Sequence, residues 1–327
     1  MHIELLEILV DPKTKEALTL KDAVYKNGEI EEGALFSPSG NKFIIRNGIP
    51  RFVDINNYTG SFGLQWNRFA RTQLDSVTGR DYSRKRFENE VGWEKSWARG
   101  EWILDSGCGS GRFAEIAAGL ECNLVAFDMS SAVDAARANL SGFRNIDFVQ
   151  ADIFNLPFRQ FSFGGVYCIG VLQHTPDPYL ALRCLLDELS PGGKFAFTIY
   201  ARRPWTKLCA KYWVRGMLHG IEDEKLLQAV EKIMPVAFPI TDILFRIPAL
   251  GKLMRFLIPI ANYVEKSDLT KKQRYEEAVL DTFDMLSPRF DSPVTAARIV
   301  DVLTKHGVDN FKVRNSCPVN VVGDKNG

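Results

Sequence analysis

Six cysteines occur in the sequence, Cys108, Cys122, Cys168, Cys184, Cys209 and Cys317, and no two of them form a C-x-x-C pair. Scattered single thiols argue against a disulfide framework or a thiolate metal knuckle and fit a reducing, cytoplasmic compartment. Charge of one sign is lacking too: 41 Lys and Arg meet 40 Asp and Glu, a formal net charge of +1. Nucleic-acid binding draws on a basic excess, so no nucleic-acid partner is expected. The opening MHIELLEILVDPKTKEAL has no basic stretch followed by an unbroken apolar core, so no signal peptide is expected. Residues 238–264 are rich in Phe, Leu and Ile, but Asp242, Arg246, Lys252 and Arg255 interrupt them and Pro239, Pro248 and Pro259 should break them into short pieces. Because a charge at a bilayer centre costs at least about 2.5 kcal/mol, no spanning helix is expected there. No repeat or low-complexity tract stands out.

What is present is a chain of 327 residues with 46% hydrophobic side chains, enough for one large core and a smaller satellite. Residues 1–55 carry short apolar runs (ALTL, ALFS, KFIIR) between turn signals (KNGE, SPSGN, RNGIP), which predicts a small β-rich module. Residues 56–100 are aromatic and polar and are predicted to be a helical connection. Over residues 101–200, β-branched runs alternate with amphipathic segments, the pattern of β-α-β units around a mostly parallel sheet. Strands are predicted at EWILD, NLVAFD, IDFVQAD, GGVYCIG and KFAFTIY, and helices at SSAVDAARANL and PYLALRCLLDEL. The second helix should have Asp177 as N-cap, Pro178 in its first turn, and an apolar face of Leu180, Leu182, Leu185, Leu186 and Leu189. Pro191-Gly192-Gly193 reads as its stop. Residues 201–291 read as an inserted segment, and 292–327 as a return to the core, with a helix opened by Ser292-Pro293, ended near Gly307, and followed by two strands.

The most informative stretch is ILDSGCGSGRF, residues 103–113, a strand running into a glycine-rich loop. Aligning the dinucleotide pattern G-x-G-x-x-G on Gly107 and Gly109 puts Arg112 where the third glycine belongs, which argues against an NAD-dependent oxidoreductase. The loop instead reads Asp105, Gly107, Gly109, Gly111. Glycines let backbone approach a ligand closely, while a carboxylate at the strand end suits an ammonium better than a pyrophosphate. S-adenosylmethionine (SAM) combines an ammonium with a nucleoside. The next strand ends in Asp128, 23 residues after Asp105, where a carboxylate can accept hydrogen bonds from ribose hydroxyls.

This stretch resembles the first motif of class I SAM-dependent methyltransferases, of the small-molecule, methyltransferase type 11-like kind. QADIFNLPF, CIGVLQHTPDP and LSPGGK are similar to the later motifs, in the same order. The resemblance covers residues 101–200 and the terminal helix and strand pair. It implies an α/β fold with a Rossmann-like, doubly wound, mostly parallel seven-stranded sheet, beside the small β-rich N-terminal domain and a helical lid insertion. It also implies that SAM is held by Asp105, Gly107, Gly109, Gly111, Asp128, Met129, Asp152, Ile153 and Ile169, with Asp152 reaching the adenine amino group, S-adenosylhomocysteine as product and no metal. Each residue also has a plainer reading: the loop as a tight turn, Asp128 as a helix N-terminal charge, Asp152 as a turn residue.

Methyl transfer from a sulfonium is an in-line displacement, and a base is needed only when the acceptor carries a proton. His174, just beyond the fourth strand, is the candidate base; capping a turn or touching the cofactor's methionine end are its alternatives. His306 reads as a cation at a helix C-terminus, and His2 and His219 show no partners. PDPYL, residues 176–180, is similar to the Asp-Pro-Pro-Tyr motif of DNA amino methyltransferases but lacks the second proline, so capping by Asp177 explains it better.

The flanks extend the resemblance. LLEILVDPKTKEALTL and GALFSPSGNKFIIRNGIPRFVD resemble a zinc-ribbon domain fused ahead of bacterial methyltransferases, but its two knuckles read Asp11-Pro12-Lys13-Thr14 and Ser37-Pro38-Ser39-Gly40, so no zinc is expected. YTGSFGLQWNRFARTQLDSVTG looks like that family's cofactor cap, with Phe62, Gln65 and Trp66 as lid contacts or as simple packing. In LDTFDMLSPRFDSP, Asp281, Asp284 or Arg289 are candidates to face the pocket or to cap the surface. Residues 238–264 read as a lid or homodimer interface, or as a contact with a membrane surface or lipid-linked substrate. The expected activity is SAM-dependent O-methylation of a small-molecule acceptor, a sugar or another hydroxylated metabolite; the alternative is a catalytically silent scaffold or regulatory module.

Overall fold

The computed structural model describes residues 1–54, 57–218 and 220–327, so His219 lies outside the described residues. Eleven strands are found among them: β1 (Thr19–Lys26), β2 (Glu29–Phe36), β3 (Lys42–Arg46), β4 (Ile49–Arg51), β5 (Trp102–Ser106), β6 (Asn123–Asp128), β7 (Ile146–Gln150), β8 (Phe163–Ile169), β9 (Leu189–Ile199), β10 (Asn310–Ser316) and β11 (Val319–Asp324). The helices are α1 (Gly60–Arg68), α2 (Asp75–Thr78), α3 (Tyr82–Glu90), α4 (Lys95–Ala98), α5 (Ala114–Ala118), α6 (Ala132–Asn139), α7 (Pro178–Asp187), α8 (Ala210–Leu218), α9 (Asp223–Leu244), α10 (Leu250–Leu257), α11 (Lys271–Leu286) and α12 (Ala296–Lys305).

All strands belong to one sheet, ordered β1-β2-β3-β4-β7-β6-β5-β8-β9-β11-β10. Strands β7, β6, β5, β8 and β9 run parallel, and β11 is antiparallel to both β9 and β10. These seven form the doubly wound core. The chain moves from β5 outward through β6 and β7, then returns to the other side of β5 to make β8 and β9. That reversal opens a crevice at the C-terminal ends of β5 and β8, the place where open parallel sheets bind ligands.

Both faces of the central strands are buried, which explains their nearly unbroken apolar runs. Alternation still divides them. Leu104, Val125, Phe127, Val166 and Cys168 face a core completed by Leu182, Leu185 and Leu186 of α7 and Ile299 and Leu303 of α12. Ile103, Leu124, Ala126 and Tyr167 face the opposite core, with Ala114, Ala117, Ala136 and Leu140 from α5, α6 and its C-terminal end. Asp177 caps α7 by accepting from the backbone N–H groups of Tyr179 and Leu180, with Pro178 in the first turn.

Several local readings need correction. Leu180 is solvent-exposed, because it lies one residue off the stripe set by Leu182, Leu185 and Leu186. Helix α7 ends at Asp187, and Pro191-Gly192-Gly193 instead lies inside β9, where a register shift opposite β8 uses the positive φ of Gly192. Helix α12 is opened by Thr295, whose side chain accepts from Arg298 N, rather than by Ser292-Pro293. Pro239 does not break the chain: α9 runs through Pro235 and Pro239 because its Met234 and Phe238 pack on Ala278 and Val279 of α11, offsetting the lost backbone bonds.

The β-rich N-terminal segment forms an antiparallel meander, β1 to β4, and it continues the main sheet, since β4 pairs in parallel with β7 through Arg51 and Gln150. The turns at residues 11–14 and 37–40 are joined by hydrogen bonds. Asp11 accepts from Lys13 N, Thr14 N and Asn41 Nδ2, and Asn41 N donates to Ser37 Oγ. These bonds outweigh burial and hold the Asp11 carboxyl below its ordinary range. Among the described residues no helix is long and apolar enough to cross a membrane, and no group of three or more His, Cys, Asp or Glu is placed to hold a metal ion.

The seam between meander and core is short, and Arg51 pins it. Its guanidinium forks onto both carboxylate oxygens of Asp134 in α6, at 3.1 and 2.6 Å, and donates to Gln150 Oε1 at 2.8 Å. Arg51→Met is therefore expected to lower the unfolding free energy by about 2 kcal/mol in urea denaturation. Arg51→Lys should recover less than half of that loss, because an ammonium cannot reproduce the fork; full recovery would show that charge alone holds the seam.

Candidate active site

At the C-terminal ends of β5 to β8 lies a cavity of about 660 Å³. Its floor is the glycine loop with the strand ends Phe127, Asp128 and Met129 and the segment Ile169, Gly170 and Val171. Gly107 has φ +76° and faces Val171, and a Cβ there would come within 2.6 Å of both Val171 methyl groups. Gly109 lies beneath the Trp66 indole, 3.2 Å from the position a Cβ would take. Gly111 does not line the cavity; its missing side chain lets Leu140 pack against the loop, where a Cβ would meet Leu140 Cδ1 at 2.8 Å.

The three acidic strand ends take different roles. Asp128 lines the cavity and is held by Gly109 N at 3.0 Å and by the Ser130 N–H and hydroxyl at 2.8 and 2.7 Å. Burial raises its carboxyl against these bonds. Asp105 does not line the cavity. It lies buried behind the loop, with Oδ2 unpartnered, and burial pushes its carboxyl up to about 7 while the Tyr167 hydroxyl beside it pulls the other way. Asp152 is also off the cavity wall: its oxygens accept from Phe154 N and Asn155 Nδ2 within a tight turn, the plainer role open to it. Met129, Ile153 and Ile169 do line the cavity.

His174 is buried on the wall, between the rings of Phe62 and Tyr200 at 5.2 and 5.6 Å. Its Nδ1 lies 3.0 Å from the carbonyl oxygen of Phe290. A carbonyl only accepts, so Nδ1 carries the proton and the neutral ring keeps its lone pair on Nε2. Two further histidines, His306 and His2, lie elsewhere. His306 ends α12 and pairs with Asp187 at 2.9 Å. His2 does have partners, contrary to the sequence reading: Asp147 takes its N–H and ring Nδ1, and that bond raises the imidazole's proton affinity.

Helix α1 and the insertion roof the cavity. Phe62 and Trp66 reach it, whereas Gln65 is turned aside and donates to Asp284 Oδ1 at 2.9 Å. Asp281 and Asp284 line the wall together with Glu277, one helical face of α11, while Arg289 lies outside it. Asp281 is raised to about 7, first by burial and then by its neighbour Glu277. Several wall residues carried no sequence signal, among them Tyr58, Arg86, Tyr200, Lys211, Tyr263 and Asp291. Glu277 Oε2 and Asp291 Oδ1 are buried without a partner.

Arg112, the residue that replaces the third glycine of a dinucleotide loop, connects floor to roof. It donates from Nε to Ser83 Oγ at 2.9 Å and from Nη1 to Gln73 Oε1 at 2.8 Å, and Gln73 Nε2 in turn donates to Asp281 Oδ1 at 3.2 Å.

Comparison with known families matches residues 104–197 to the methyltransferase domain. Among curated relatives, an O-methyltransferase of Penicillium expansum is 35% identical over 134 residues, 39% of this chain and 47% of the relative. A ubiquinone biosynthesis O-methyltransferase of Xanthomonas axonopodis pv. citri is 33% identical over 108 residues, 32% of this chain and 45% of that one. The chain spans about half the length of the curated relatives it matches. A solved SAM-dependent methyltransferase from Mesorhizobium loti is 30% identical over 32% of this chain and 48% of its own, with a TM-score of 0.30. The matched domain, residues 104–197, coincides with the strands that carry the glycine loop and Asp128, and over that stretch the chain is similar to SAM-dependent methyltransferases.

Proposed function

We propose that this protein transfers a methyl group from SAM to a hydroxyl of a small-molecule acceptor. The observation that carries this reading is His174, a ring on the cavity wall whose Nδ1 is committed to the Phe290 carbonyl and whose Nε2 is left as the basic nitrogen. An imidazole so oriented can take the proton of an attacking hydroxyl.

The cavity floor fits the cofactor by its own chemistry. Gly107 presents bare backbone to the floor, with Val171 packed where a Cβ would sit, Asp128 presents a carboxylate to ribose hydroxyls, and Ile153 and Ile169 offer apolar walls to an adenine. Bound SAM supplies an electrophilic methyl on a sulfonium. The chain's part is to orient the acceptor, exclude water beneath Phe62 and Trp66, and accept the acceptor's proton at His174. Glu277, Asp281, Asp284 and Asp291 line the same cavity, and carboxylates accept hydrogen bonds from hydroxyls. This supports an acceptor with several hydroxyls, a sugar or similar metabolite. The relatives named as O-methyltransferases support oxygen as the accepting atom.

Calorimetric titration is expected to show SAM binding and no NAD binding; the reverse would overturn the assignment. Gly107→Ala should abolish SAM binding, because the new methyl meets Val171 and the positive φ disfavours a side chain. With an acceptor found by SAM-dependent mass gain, His174→Ala is expected to lower kcat by about 10²- to 10⁴-fold while leaving SAM affinity within a few-fold of wild type. Products methylated on nitrogen alone would rule out O-methylation.

Asp105 gives a pH signature. Its carboxyl is raised to about 7 in the folded protein against about 3.9 unfolded, so the native state binds the extra proton and its stability falls as pH rises through that window. Asp105→Asn stays neutral, and its stability relative to wild type should rise from about pH 4 to about pH 7 in denaturant titrations. If Asp105 faces the cofactor's positive charge, saturating SAM will flatten the wild-type fall; an unchanged fall would confine Asp105 to shaping the loop.

A further inference from the structure

Of the 21 large apolar side chains exposed among the described residues, 13 lie between Trp205 and Leu257. Their spacing is helical. On α9, Ile233, Val236, Ile240 and Ile243 recur at steps of three and four, opposite the buried stripe Leu226, Val230, Met234, Phe238 that packs toward α11. On α10, Leu250, Leu253 and Leu257 repeat the spacing, and on α8, Trp213 and Met217 do so. Val236 is 65% exposed, Ile243 68% and Met217 80%, values usual for lysines and not for core-type residues. Helix α10 touches both α8 and α9, so the stripes lie on neighbouring helices. An exposed apolar surface of this kind marks an interaction site.

Charge identifies the partner. Residues 201–258 hold ten Lys and Arg against five Asp and Glu, a net +5, while the rest of the chain holds 31 against 35, a net −4. Some of these cations are consumed locally: Lys211 and Arg215 pair with Asp291, and Arg246 with Asp242. Lys207, Lys232 and Lys252, beside the apolar stripes, remain exposed. A second copy docked through a two-fold axis would set this cationic surface against itself. An anionic lipid surface would neutralise it while taking up the apolar side chains. Because no described helix is long and apolar enough to cross a membrane, the helices would lie on the surface.

We propose that α8, α9 and α10 dock this protein onto an anionic bilayer surface, inserting Trp213, Met217, Val236, Ile243 and Leu253 at the headgroup level with Lys232 and Lys252 on the phosphates. The inference stands independently of the methyl-transfer reading.

The test is flotation of the full chain with vesicles of phosphatidylcholine, with and without phosphatidylglycerol. The protein is expected to float with the anionic vesicles, several-fold less with phosphatidylcholine alone, and progressively less as salt is raised. A combined V236Q, I243Q and L253Q variant and a separate K232E and K252E variant should each bind anionic vesicles about tenfold or more weakly, with thermal unfolding unchanged. Absence of wild-type flotation at low salt, or equal flotation of wild type and both variants, would overturn the proposal. So would a wild-type dimer in sedimentation equilibrium that V236Q, I243Q and L253Q together convert to monomer without any vesicle binding, an outcome that assigns the face to a second copy.

Discussion

Arg112 is a half-buried cation on the cavity wall, where burial works against its charge, so it needs committed partners. It finds them in the Ser83 hydroxyl and the Gln73 amide, both from the segment between β4 and β5, and Gln73 passes the connection to Asp281 in the insertion. Three stretches far apart in sequence are thereby fixed around one guanidinium: the glycine loop, the cap and the inserted roof. The cavity has its shape because these three meet. Truncating the guanidinium would leave the Gln73 amide oxygen and the Ser83 hydroxyl to find new donors.

How much of this was legible depended on how local the determining interactions are. The strands β5 to β8 could be read because a buried parallel strand writes itself as an apolar run, and Asp177 because an N-cap acts within three residues. The sheet-edge carboxylate Asp128 was placed by its position after a strand. Asp105 shows the limit of that logic: the same kind of position, one strand earlier, puts the carboxylate behind the loop and off the cavity wall. Nothing in the sequence distinguishes the two, because the difference arises from how the loop folds over the strand end.

Long-range pairing was illegible throughout. Gln65 meets Asp284 and His2 meets Asp147 across separations of 219 and 145 residues. The continuation of the N-terminal meander into the main sheet rests on the pairing of Arg51 with Gln150, which no local pattern announces. Helix α9 runs through Pro235 and Pro239, where local rules stop it, because tertiary packing on α11 compensates for the missing bonds. In the N-terminal segment, by contrast, the absence of C-x-x-C pairs was plain in the sequence, while the hydrogen bond of Asn41 to Asp11, 30 residues apart, was not.

The carbonyl that sets the His174 tautomer belongs to Phe290, at the end of the inserted segment. The insertion therefore does more than roof the cavity: it decides which nitrogen of the imidazole carries the proton. A homologous domain given a different insert would inherit the glycine loop and Asp128 intact, yet would have to find another group to polarise its histidine. On the reading proposed above, the roof of the cavity and the proton-accepting nitrogen change together, while the glycine loop and Asp128 can stay as they are.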